Sequence, residues 1–267
     1  MTDRRGAAPP SPAAAGEGGH GLLLDVRGVV RRYGGLTAVD DVSVSLGPQE
    51  RLAVIGPNGA GKTTLFKLIA GEVRPNAGTV RFDGREVTRW SARRRARLGI
   101  ARTFQVSNLF RSLTVAENVM LAAQARRPVR WSCVPAAGVR GAARETEGVI
   151  EQLMLGARRH DRVDNLSHGE RRQLEIAMAL VVEPRLLLLD EPAAGLSLVE
   201  RRRLREILES LPRTVPFLLI EHDLTLALGL ADRVVVLDNG RMIARGSADE
   251  IRRDRLVREV YLGRSAS

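Results

Sequence analysis

Residues 51–64 read RLAVIGPNGAGKTT, and they join a short apolar run to a glycine-rich loop. The apolar residues 52–55 are typical of a buried strand. Residues 56–63 follow at once and fit the pattern G-x-x-x-x-G-K-[ST], the phosphate-binding loop. Glycines let such a loop curl so that successive backbone N–H groups point inward at an anion. The stretch therefore predicts a strand, a phosphate cradle and a helix in direct succession.

The residues of this loop have distinct expected roles. The helix after Gly61 adds its positive N-terminal end to the cradle. Lys62 supplies a compact positive charge to the β- and γ-phosphates, and Thr63 offers a hydroxyl to Mg²⁺. Only Lys62 and Lys67 are lysines among the 42 Lys and Arg residues, so a Lys stands where an ammonium suits better than a planar guanidinium. The predicted nucleotide contacts here are Gly56, Pro57, Asn58, Gly59, Ala60, Gly61, Lys62, Thr63 and Thr64.

Composition narrows the function classes. The 267 residues suffice for a large α/β domain with a full core. A net charge of +11 is suited to binding nucleic acid, an anionic membrane surface or phosphorylated ligands. The alternative is that it reflects only a general preference for Arg. Aromatic residues make up only 3% and do not alternate with basic ones, which disfavours stacking on bases. Cys133 is the only cysteine, so no internal disulfide forms, as is usual in a reducing compartment.

The N-terminal segment, residues 1–21, predicts a disordered tail. It is rich in Ala, Pro and Gly, and although it carries Arg4 and Arg5 it has no apolar stretch typical of a signal peptide. No apolar run in the chain approaches the length of about 18 residues or more that a membrane-spanning helix needs. We therefore expect a protein that is soluble, or peripheral to a membrane.

Alternating and periodic patterns flank the phosphate loop. Residues 22–33 and 38–46 predict two strands joined at Gly34-Gly35, with a slip near Asp40-Asp41. Tyr33 at the tip either stacks on an adenine ring or is an ordinary strand-end tyrosine. Residues 79–82 predict a further strand, 91–98 a helix whose Arg residues are mostly a solvated face, and 100–104 a strand.

The middle of the chain predicts helices inserted between strands. Thr114 and Glu117 form one capping box, and Ser167 and Glu170 form another. Residues 126–139 predict an irregular loop between two helical stretches, and residues 141–155 the second of them. The helix that Ser167 opens runs to about residue 182, and its N-terminal end offers a further anion site.

Two later strands deliver polar groups to one sheet edge. Residues 186–189 are four leucines, and Asp190 and Glu191 follow directly. Residues 217–220 form another apolar run, and His222 follows one residue later. Asp190 suits Mg²⁺ binding through water, Glu191 can polarise an attacking water, and His222 can hydrogen-bond a γ-phosphate. For Asp190 and Glu191, the alternative is a pair of ordinary surface acids at the end of a strand. For His222, the alternative is a residue beside a helix cap.

The C-terminal part of the chain predicts three further features. Residues 198–211 predict a basic amphipathic helix, residues 233–245 a hairpin around Asn239-Gly240, and short helices end the chain.

These signals line up in order, and over residues 22–263 the chain resembles an ATP-binding-cassette (ABC) ATPase. The motif LSHGE at residues 166–170 is similar to the signature that separates this family from other phosphate-loop proteins. The resemblance implies an α/β fold: a P-loop NTPase core with a mixed sheet, an antiparallel β subdomain and an α-helical subdomain inserted at about 106–166. The ATPase domain would span residues 22–267.

The resemblance also implies site residues for ATP and Mg²⁺. Tyr33 is similar to the adenine-stacking aromatic, and Ser167 and Gly169 to the γ-phosphate contacts supplied by a second subunit. The catalytic residues it implies are Glu191, His222 and Gln105. The magnesium ligands it implies are Thr63, Gln105 and Asp190.

Within the family, the chain most resembles ATP-binding subunits of branched-chain amino acid importers. The similar stretches are ARTFQVSNLF at 101–110, LTVAEN at 113–118, EPAAGLS at 191–197, LIEHD at 219–223 and VYLG at 260–263. Importers of urea, amides or other solutes look similar.

Two departures from the family pattern stand out. His168 and Glu170 replace the usual Gly and Gln of the signature, but Glu170 keeps a capping group, so we expect function to survive. The loop at 193–197 lacks the usual Asp. We therefore expect communication between two ATP sites to depend on backbone contacts and Ser197.

The resemblance implies partners and a location. One cassette needs a second ATPase subunit, either a copy of this chain or a sister chain, and integral-membrane permease subunits that dock near Gln105, with residues 106–111 as candidate contacts. A solute-binding protein would act indirectly, and no nucleic acid is expected. The protein would lie peripherally on the cytoplasmic face of the cell membrane. One alternative is an exporter subunit. The other is a non-transport ATPase that acts on nucleic acid or ribosomes. The basic charge favours this second alternative, whereas the presence of a single cassette without heptad repeats disfavours it.

Overall fold

Two β-sheets organise the part of the chain that the structure describes, residues 21–103, 109–125 and 136–262 of a computed structural model. The strands are β1 (Leu24–Tyr33), β2 (Leu36–Leu46), β3 (Arg51–Ile55), β4 (Ala77–Phe82), β5 (Arg85–Glu86), β6 (Ile100–Arg102), β7 (Leu186–Asp190), β8 (Phe217–Ile220), β9 (Arg233–Asp238) and β10 (Arg241–Gly246). The α-helices are α1 (Lys62–Ala70), α2 (Ala92–Ala96), α3 (Val115–Ala125), α4 (Ala136–Gln152), α5 (His168–Leu180), α6 (Leu198–Ser210), α7 (Leu224–Leu230), α8 (Ala248–Arg253) and α9 (Arg255–Leu262).

The larger sheet is mixed, in the order β10-β9-β3-β8-β7-β6. Its strands run parallel except for β10, which pairs antiparallel with β9. All residues of β3, β7 and β8 are buried, as expected for apolar runs covered on both faces. Because these three strands are parallel, their carboxyl ends meet at one edge. The predicted mixed sheet is confirmed, and so is the shared edge for the groups that follow β7 and β8.

The smaller sheet is antiparallel, in the order β2-β1-β4-β5. The register of β1 against β2 shifts between the pairs Val29–Val42 and Arg31–Val39, and Asp41 has a positive φ of 53°. The predicted slip is therefore a β-bulge. This sheet, α1 and one face of the larger sheet share a single apolar core, so α1 is fixed from two sides.

Helices α3 and α4 lie between β6 and β7 in the chain and pack against each other and against α5. The capping box at Thr114 is confirmed, since its N–H donates to Glu117 Oε2 at 2.7 Å and the Glu117 N–H to Thr114 Oγ1 at 3.2 Å. The predicted loop 126–139 is wrong at its end, because α4 already begins at Ala136. The helix starts directly after Pro135 with two alanines, which are strong helix formers.

Several other predicted bounds shift. The strand β5 and the helix α7 lack a predicted counterpart, and Asp223 caps α7 by accepting the Leu226 N–H. Helix α2 is shorter than the predicted 91–98. Residues 104–108, residues 126–135 of the predicted loop and residues 1–20 of the predicted tail lie outside the described residues. In the described part of the chain, no helix is both long and apolar enough to span a membrane.

Arg95 in α2 is an exception to the solvated face expected for the arginines of that helix. It is fully buried, and its guanidinium donates to the carbonyls of Leu68 and Ile69 at 2.7 Å each. It also donates to the carbonyls of Val87 and Thr88, at 2.7 and 3.1 Å. Arg95 therefore satisfies the Ile69 carbonyl at the end of α1 and adds a second donor to the Leu68 carbonyl, which also accepts the Gly71 N–H at 3.3 Å. Burial lowers the pKa of this guanidinium to about 10.

Candidate active site

The phosphate-binding loop connects β3 to α1 at the carboxyl edge of the larger sheet. Neighbouring backbone closes around it. A Cβ at Gly56 would lie 2.2 Å from the Leu237 carbonyl oxygen, and one at Gly61 would lie 2.4 Å from the Ala38 carbonyl oxygen. Gly61, which precedes α1, also has a φ of +99°. Only glycine fits at these two positions, so the tertiary structure requires the spacing that the sequence pattern contains.

Lys62 lies inside the concave side of this loop. Its Nζ donates to the Gly56 carbonyl at 2.7 Å and to the Pro57 carbonyl at 3.0 Å, and the side chain is buried. Burial lowers the pKa of the ammonium, while the charges of Glu191 and Asp190 raise it. The loop therefore holds a positive charge against its own backbone, at the position that the sequence predicts for the phosphate-binding Lys.

A cleft of about 460 Å³ opens over the loop. Its volume lies within the roughly 300–1,000 Å³ usual for small-molecule sites. The cleft brings together groups that are distant in the sequence. Its lining residues are Tyr33, Leu36, Thr37, Ala38, Asn58, Gly59, Ala60, Gly61, Lys62, Thr63, Thr64, Glu191 and Asn239. An aromatic ring, the phosphate loop and a carboxylate thus share one cavity.

Tyr33 ends β1 at the rim of this cleft and is 43% exposed. The guanidinium of Arg31 lies 4.5 Å from the centre of its ring. A ring that is open to solvent and supported by a cation is suited to stacking on a planar base. The position agrees with the predicted adenine contact, and that role remains a prediction.

Asp190 ends β7 and is almost fully buried. Its Oδ2 accepts from Arg102 Nη2 at 3.1 Å, whereas Oδ1 is buried without a hydrogen-bond partner among the described residues. Burial raises the pKa of this carboxyl, and the Arg102 charge opposes that rise. A buried oxygen without a partner is suited to a cation or to its water shell.

The donor set fits Mg²⁺ better than a metal held by protein groups alone. In the described part of the chain, no three His, Cys, Asp or Glu side chains form a metal-binding group. Mg²⁺ is usually held by one or two carboxylates, waters and substrate phosphates. Asp190 and the Thr63 hydroxyl are the candidate ligands that the structure describes, and the third predicted ligand, Gln105, lies outside the described residues.

Glu191 follows Asp190 and faces the cleft. Its backbone N–H donates to the Ile220 carbonyl at 2.9 Å, and its φ is +43°. The Nδ1 atom of His222 lies 4.0 Å from Glu191 Oε2 and 3.8 Å from Glu221 Oε2. The structure thus brings the predicted Glu191 and His222 together across adjacent strands, although their catalytic roles remain predictions.

Ser167 and Gly169 lie at the N-terminus of α5. The predicted capping box is confirmed, since Ser167 accepts the Glu170 N–H at 3.1 Å and the Glu170 carboxylate accepts the Ser167 N–H at 2.8 Å. The Gly169 N–H donates to Glu200 Oε1 at 3.0 Å, so this helix end already binds an anionic oxygen. Among the described residues, Ser167 and Gly169 line a different cavity from the phosphate loop. Within one chain the two halves of the predicted site therefore do not meet.

Three polar residues near the site had no predicted role. Arg102 contacts Asp190, Arg172 contacts the backbone after β7, and the buried Glu221 accepts the Ala193 N–H at 2.9 Å. The only sequence signal for Glu221 is its place directly after the apolar run of β8. The two arginines give no signal of their own in a chain so rich in Arg.

Comparison with known families agrees with this geometry. A family described as "ABC transporter" matches residues 39–194, which is more than half of the chain. A second family, described as "Branched-chain amino acid ATP-binding cassette transporter", matches residues 241–267.

Individual relatives cover nearly the whole chain. It is 38% identical over 249 residues to the high-affinity branched-chain amino acid transport ATP-binding protein LivG of Escherichia coli, covering 90% of this chain and 98% of LivG. It is 35% identical over 242 residues to the lipopolysaccharide export system ATP-binding protein LptB of Acidithiobacillus ferridurans, covering 90% of this chain and 97% of LptB. A crystal structure of the ADP conformation of an ATP-binding cassette from an ABC transporter superposes with a TM-score of 0.79 at 28% identity, covering 91% of this chain and 99% of that one. The chain therefore belongs to the ABC transporter family, and it is an ATP-hydrolysing cassette that energises transport.

Proposed function

We propose that this chain is the ATPase subunit of a transporter that imports branched-chain amino acids. The observation that carries the substrate class is the match of residues 241–267 to the branched-chain amino acid family, together with the similarity to LivG along nearly the full length of both chains. The similarity to a lipopolysaccharide export protein keeps an exporter as the second candidate.

The geometry supports a role for each element of the cleft. ATP would stack its adenine on Tyr33 and place its phosphates over residues 56–64, with Lys62 at the β- and γ-phosphates. Thr63 and Asp190 would hold Mg²⁺, which neutralises charge on the phosphates when it is bound. Asp190 Oδ1, for which the described residues supply no hydrogen-bond partner, supports this assignment.

Hydrolysis would depend on Glu191 and His222. Glu191 faces the phosphate cleft and would take a proton from the attacking water, which must approach in line with the bond that breaks. His222 lies beside Glu191 and would hydrogen-bond the γ-phosphate. Since little covalent chemistry is needed, positioning and electrostatics would supply most of the rate acceleration.

A second ATPase subunit would complete the site. Ser167 and Gly169 line a cavity of their own, so they would cover the γ-phosphate bound to another subunit rather than to their own. The contact between the Gly169 N–H and the Glu200 carboxylate supports an anion-binding role for this helix end. Binding of ATP between two subunits would close the pair, and hydrolysis would reopen it.

An apolar groove of about 410 Å³ between α2, β6 and α5 would dock a helix of a permease subunit. Its wall includes Ala92, Ala96, Ile100, Leu109 and Met178. Phe110, next to the groove, is exposed. Of the predicted contacts 106–111, Leu109 lines this groove, which supports the proposal, and residues 106–108 lie outside the described residues. Docking here would place the chain on the cytoplasmic face of the membrane.

The test is affinity purification of the full chain from detergent-solubilised native membranes, followed by reconstitution of the recovered complex in liposomes. We expect multi-span permeases and a second, similar ATPase to copurify, and ATP to drive uptake of radiolabelled leucine. Transport of leucine that does not depend on ATP, or ATP-driven movement of lipid in the opposite direction, would overturn the import assignment.

A further inference from the structure

The backbone at Glu191 has an unusual conformation. Its φ of +43° lies in the left-handed region, which residues other than glycine rarely adopt. Such a conformation persists only where the surroundings fix it, and it commonly occurs at functional sites. Glu191 faces the phosphate cleft, so the groups that fix its backbone also determine where its carboxylate lies.

Arg172 of α5 binds this backbone from one side. Its Nη2 donates to the carbonyls of Asp190 at 2.7 Å and Glu191 at 2.9 Å, and its Nε donates to the Pro192 carbonyl at 3.0 Å. Its Nη1 donates to Glu175 Oε2 at 2.7 Å, which orients the guanidinium from its own helix. A single planar side chain thus contacts three successive carbonyls.

Glu221 binds the same segment from the adjacent strand. It is fully buried, and its Oε1 accepts the Ala193 N–H at 2.9 Å. The main chain of β8 adds a further contact, since the Ile220 carbonyl accepts the Glu191 N–H at 2.9 Å. Carbonyls and N–H groups of residues 190–193 are therefore fixed by different elements.

We propose that Arg172 and Glu221 are positioning residues that keep Glu191 in its left-handed conformation and its carboxylate toward the γ-phosphate. This proposal rests on the proposed role of Glu191 as the base. Neither residue needs to touch nucleotide. Arg172 belongs to the helix whose N-terminus carries Ser167 and Gly169. It therefore connects the helix end that would contact ATP bound to a second subunit with Glu191, which would act on ATP bound to its own subunit.

The proposal predicts a selective effect on turnover. Replacing Arg172 with Met removes three donors to residues 190–192, and a misplacement of about 1 Å can cost roughly 100-fold in rate. We therefore expect Arg172→Met to lower kcat for ATP by about 10- to 100-fold, with KM for ATP changed less than about threefold. Arg171→Met is the matched control, because Arg171 lies on the same helix but donates to the carbonyls of Val163 and Asp164. It should leave kcat near the wild-type value.

Glu221 provides an independent pair of variants. Glu221→Gln keeps an acceptor for the Ala193 N–H and should retain most of kcat, whereas Glu221→Leu removes the acceptor and should lose about as much as Arg172→Met. If Arg172→Met fails to fold, Arg172→Lys takes its place. Lys keeps the positive charge but not the forked guanidinium, so this variant should show an intermediate loss of kcat. The two Glu221 variants then test the proposal beside it. Equal activity in Glu221→Leu and Glu221→Gln would overturn the proposal.

The decisive experiment is a double-mutant comparison by single-turnover ATP hydrolysis in the full-length chain. If Arg172 acts through Glu191, adding Arg172→Met to Glu191→Gln should cause little further loss. The same fold-loss in both backgrounds would overturn the proposal and indicate a purely structural role. Full activity in Glu191→Gln alone would instead refute the role of Glu191. Loss in Glu191→Gln with normal kcat in Arg172→Met would refute only the positioning role.

Discussion

The guanidinium of Arg102 lies against the carboxylate of Asp190, with Nη2 3.1 Å from Oδ2, and the two side chains are only 11% and 1% exposed. The same guanidinium pairs with Glu72 and lies 4.8 Å from the centre of the Phe66 ring. This pair joins the strand that leads toward Gln105 to the carboxylate that we assign to Mg²⁺. Burial lowers the pKa of Arg102 and raises that of Asp190, and the charge of each group opposes the shift of the other.

Arg102→Met should destabilise the chain strongly. Removing one partner of a buried ion pair typically costs about 3–5 kcal/mol, because the remaining charge has no compensation. Arg185→Met is the control, since Arg185 and Asp83 form a pair at 2.8 Å whose side chains are 49% and 48% exposed. It should change the free energy of unfolding by less than about 1 kcal/mol. Urea denaturation measures both values, and equal losses would contradict the burial argument.

Glu191→Gln should separate nucleotide binding from turnover. The amide keeps the size of the side chain but cannot accept a proton, and loss of a general base typically lowers the rate by about 10²–10⁴. Binding of a fluorescent ATP analogue should stay close to wild type, because the phosphate loop is untouched. Steady-state ATPase activity at the wild-type level would refute the assignment of Glu191 as the base.

Lys62→Ala should weaken nucleotide binding itself. Hydrogen bonds to charged groups contribute about 1.5–3 kcal/mol, which corresponds to roughly a 10- to 150-fold loss of ATP affinity. The only other lysine, Lys67, lies on the same helix outside the cleft, so Lys67→Ala is the control. Titration with ATP would contradict the prediction if the two variants bound equally well.

Arg95→Met should destabilise the chain although no carboxylate pairs with Arg95 among the described residues. The Leu68 and Val87 carbonyls still accept the N–H groups of Gly71 and Trp90, whereas the Ile69 and Thr88 carbonyls lose the donor that Arg95 supplies. Each unsatisfied buried acceptor costs about 1–3 kcal/mol, so a loss of about 2–5 kcal/mol is expected. Arg94, the neighbouring residue, stacks over the Trp90 ring at 3.5 Å. Arg94→Met should cost no more than about 1 kcal/mol. Similar melting temperatures for the two variants would refute this ranking.

The stability of the chain should depend on pH through Glu221. Burial raises its pKa, while hydrogen bonds from the Ala193 and His222 N–H groups and the charge of His222 oppose the rise. In the window between the unfolded and the raised folded pKa, the folded chain binds more protons than the unfolded chain. The contribution of Glu221 to stability therefore falls as pH rises through this window.

Glu221→Gln removes that titration. The free energy of unfolding of the variant minus that of wild type should therefore increase as pH rises above the ordinary Glu value of 4.5. Lys62 and His222 are the positive groups whose electrostatic interaction with Glu221 the structure records, and both remain in the variant. Denaturation curves across this range check the sign, and a difference that is constant with pH would show that Glu221 does not titrate there.

Features that depend on contiguous residues could be predicted from the sequence. The phosphate loop at 56–63 is one continuous pattern, and the strands β3, β7 and β8 are apolar runs that need burial wherever they lie. The capping boxes at Thr114 and Ser167 join residues three positions apart, so their geometry is also local. Because parallel strands align their carboxyl ends, even the meeting of Glu191 and His222 could be predicted.

The sequence did not show which arginines would bind groups inside the fold. Arg95, Arg102 and Arg172 are three among 42 Lys and Arg residues, and nothing in their local sequence distinguishes them from arginines in water. The partners of Arg95 and Arg172 are mainly backbone carbonyls. Every residue carries a carbonyl, so an acceptor of this kind leaves no mark in the sequence. Only the packing of α2 and α5 against the sheet showed which carbonyls face which guanidinium.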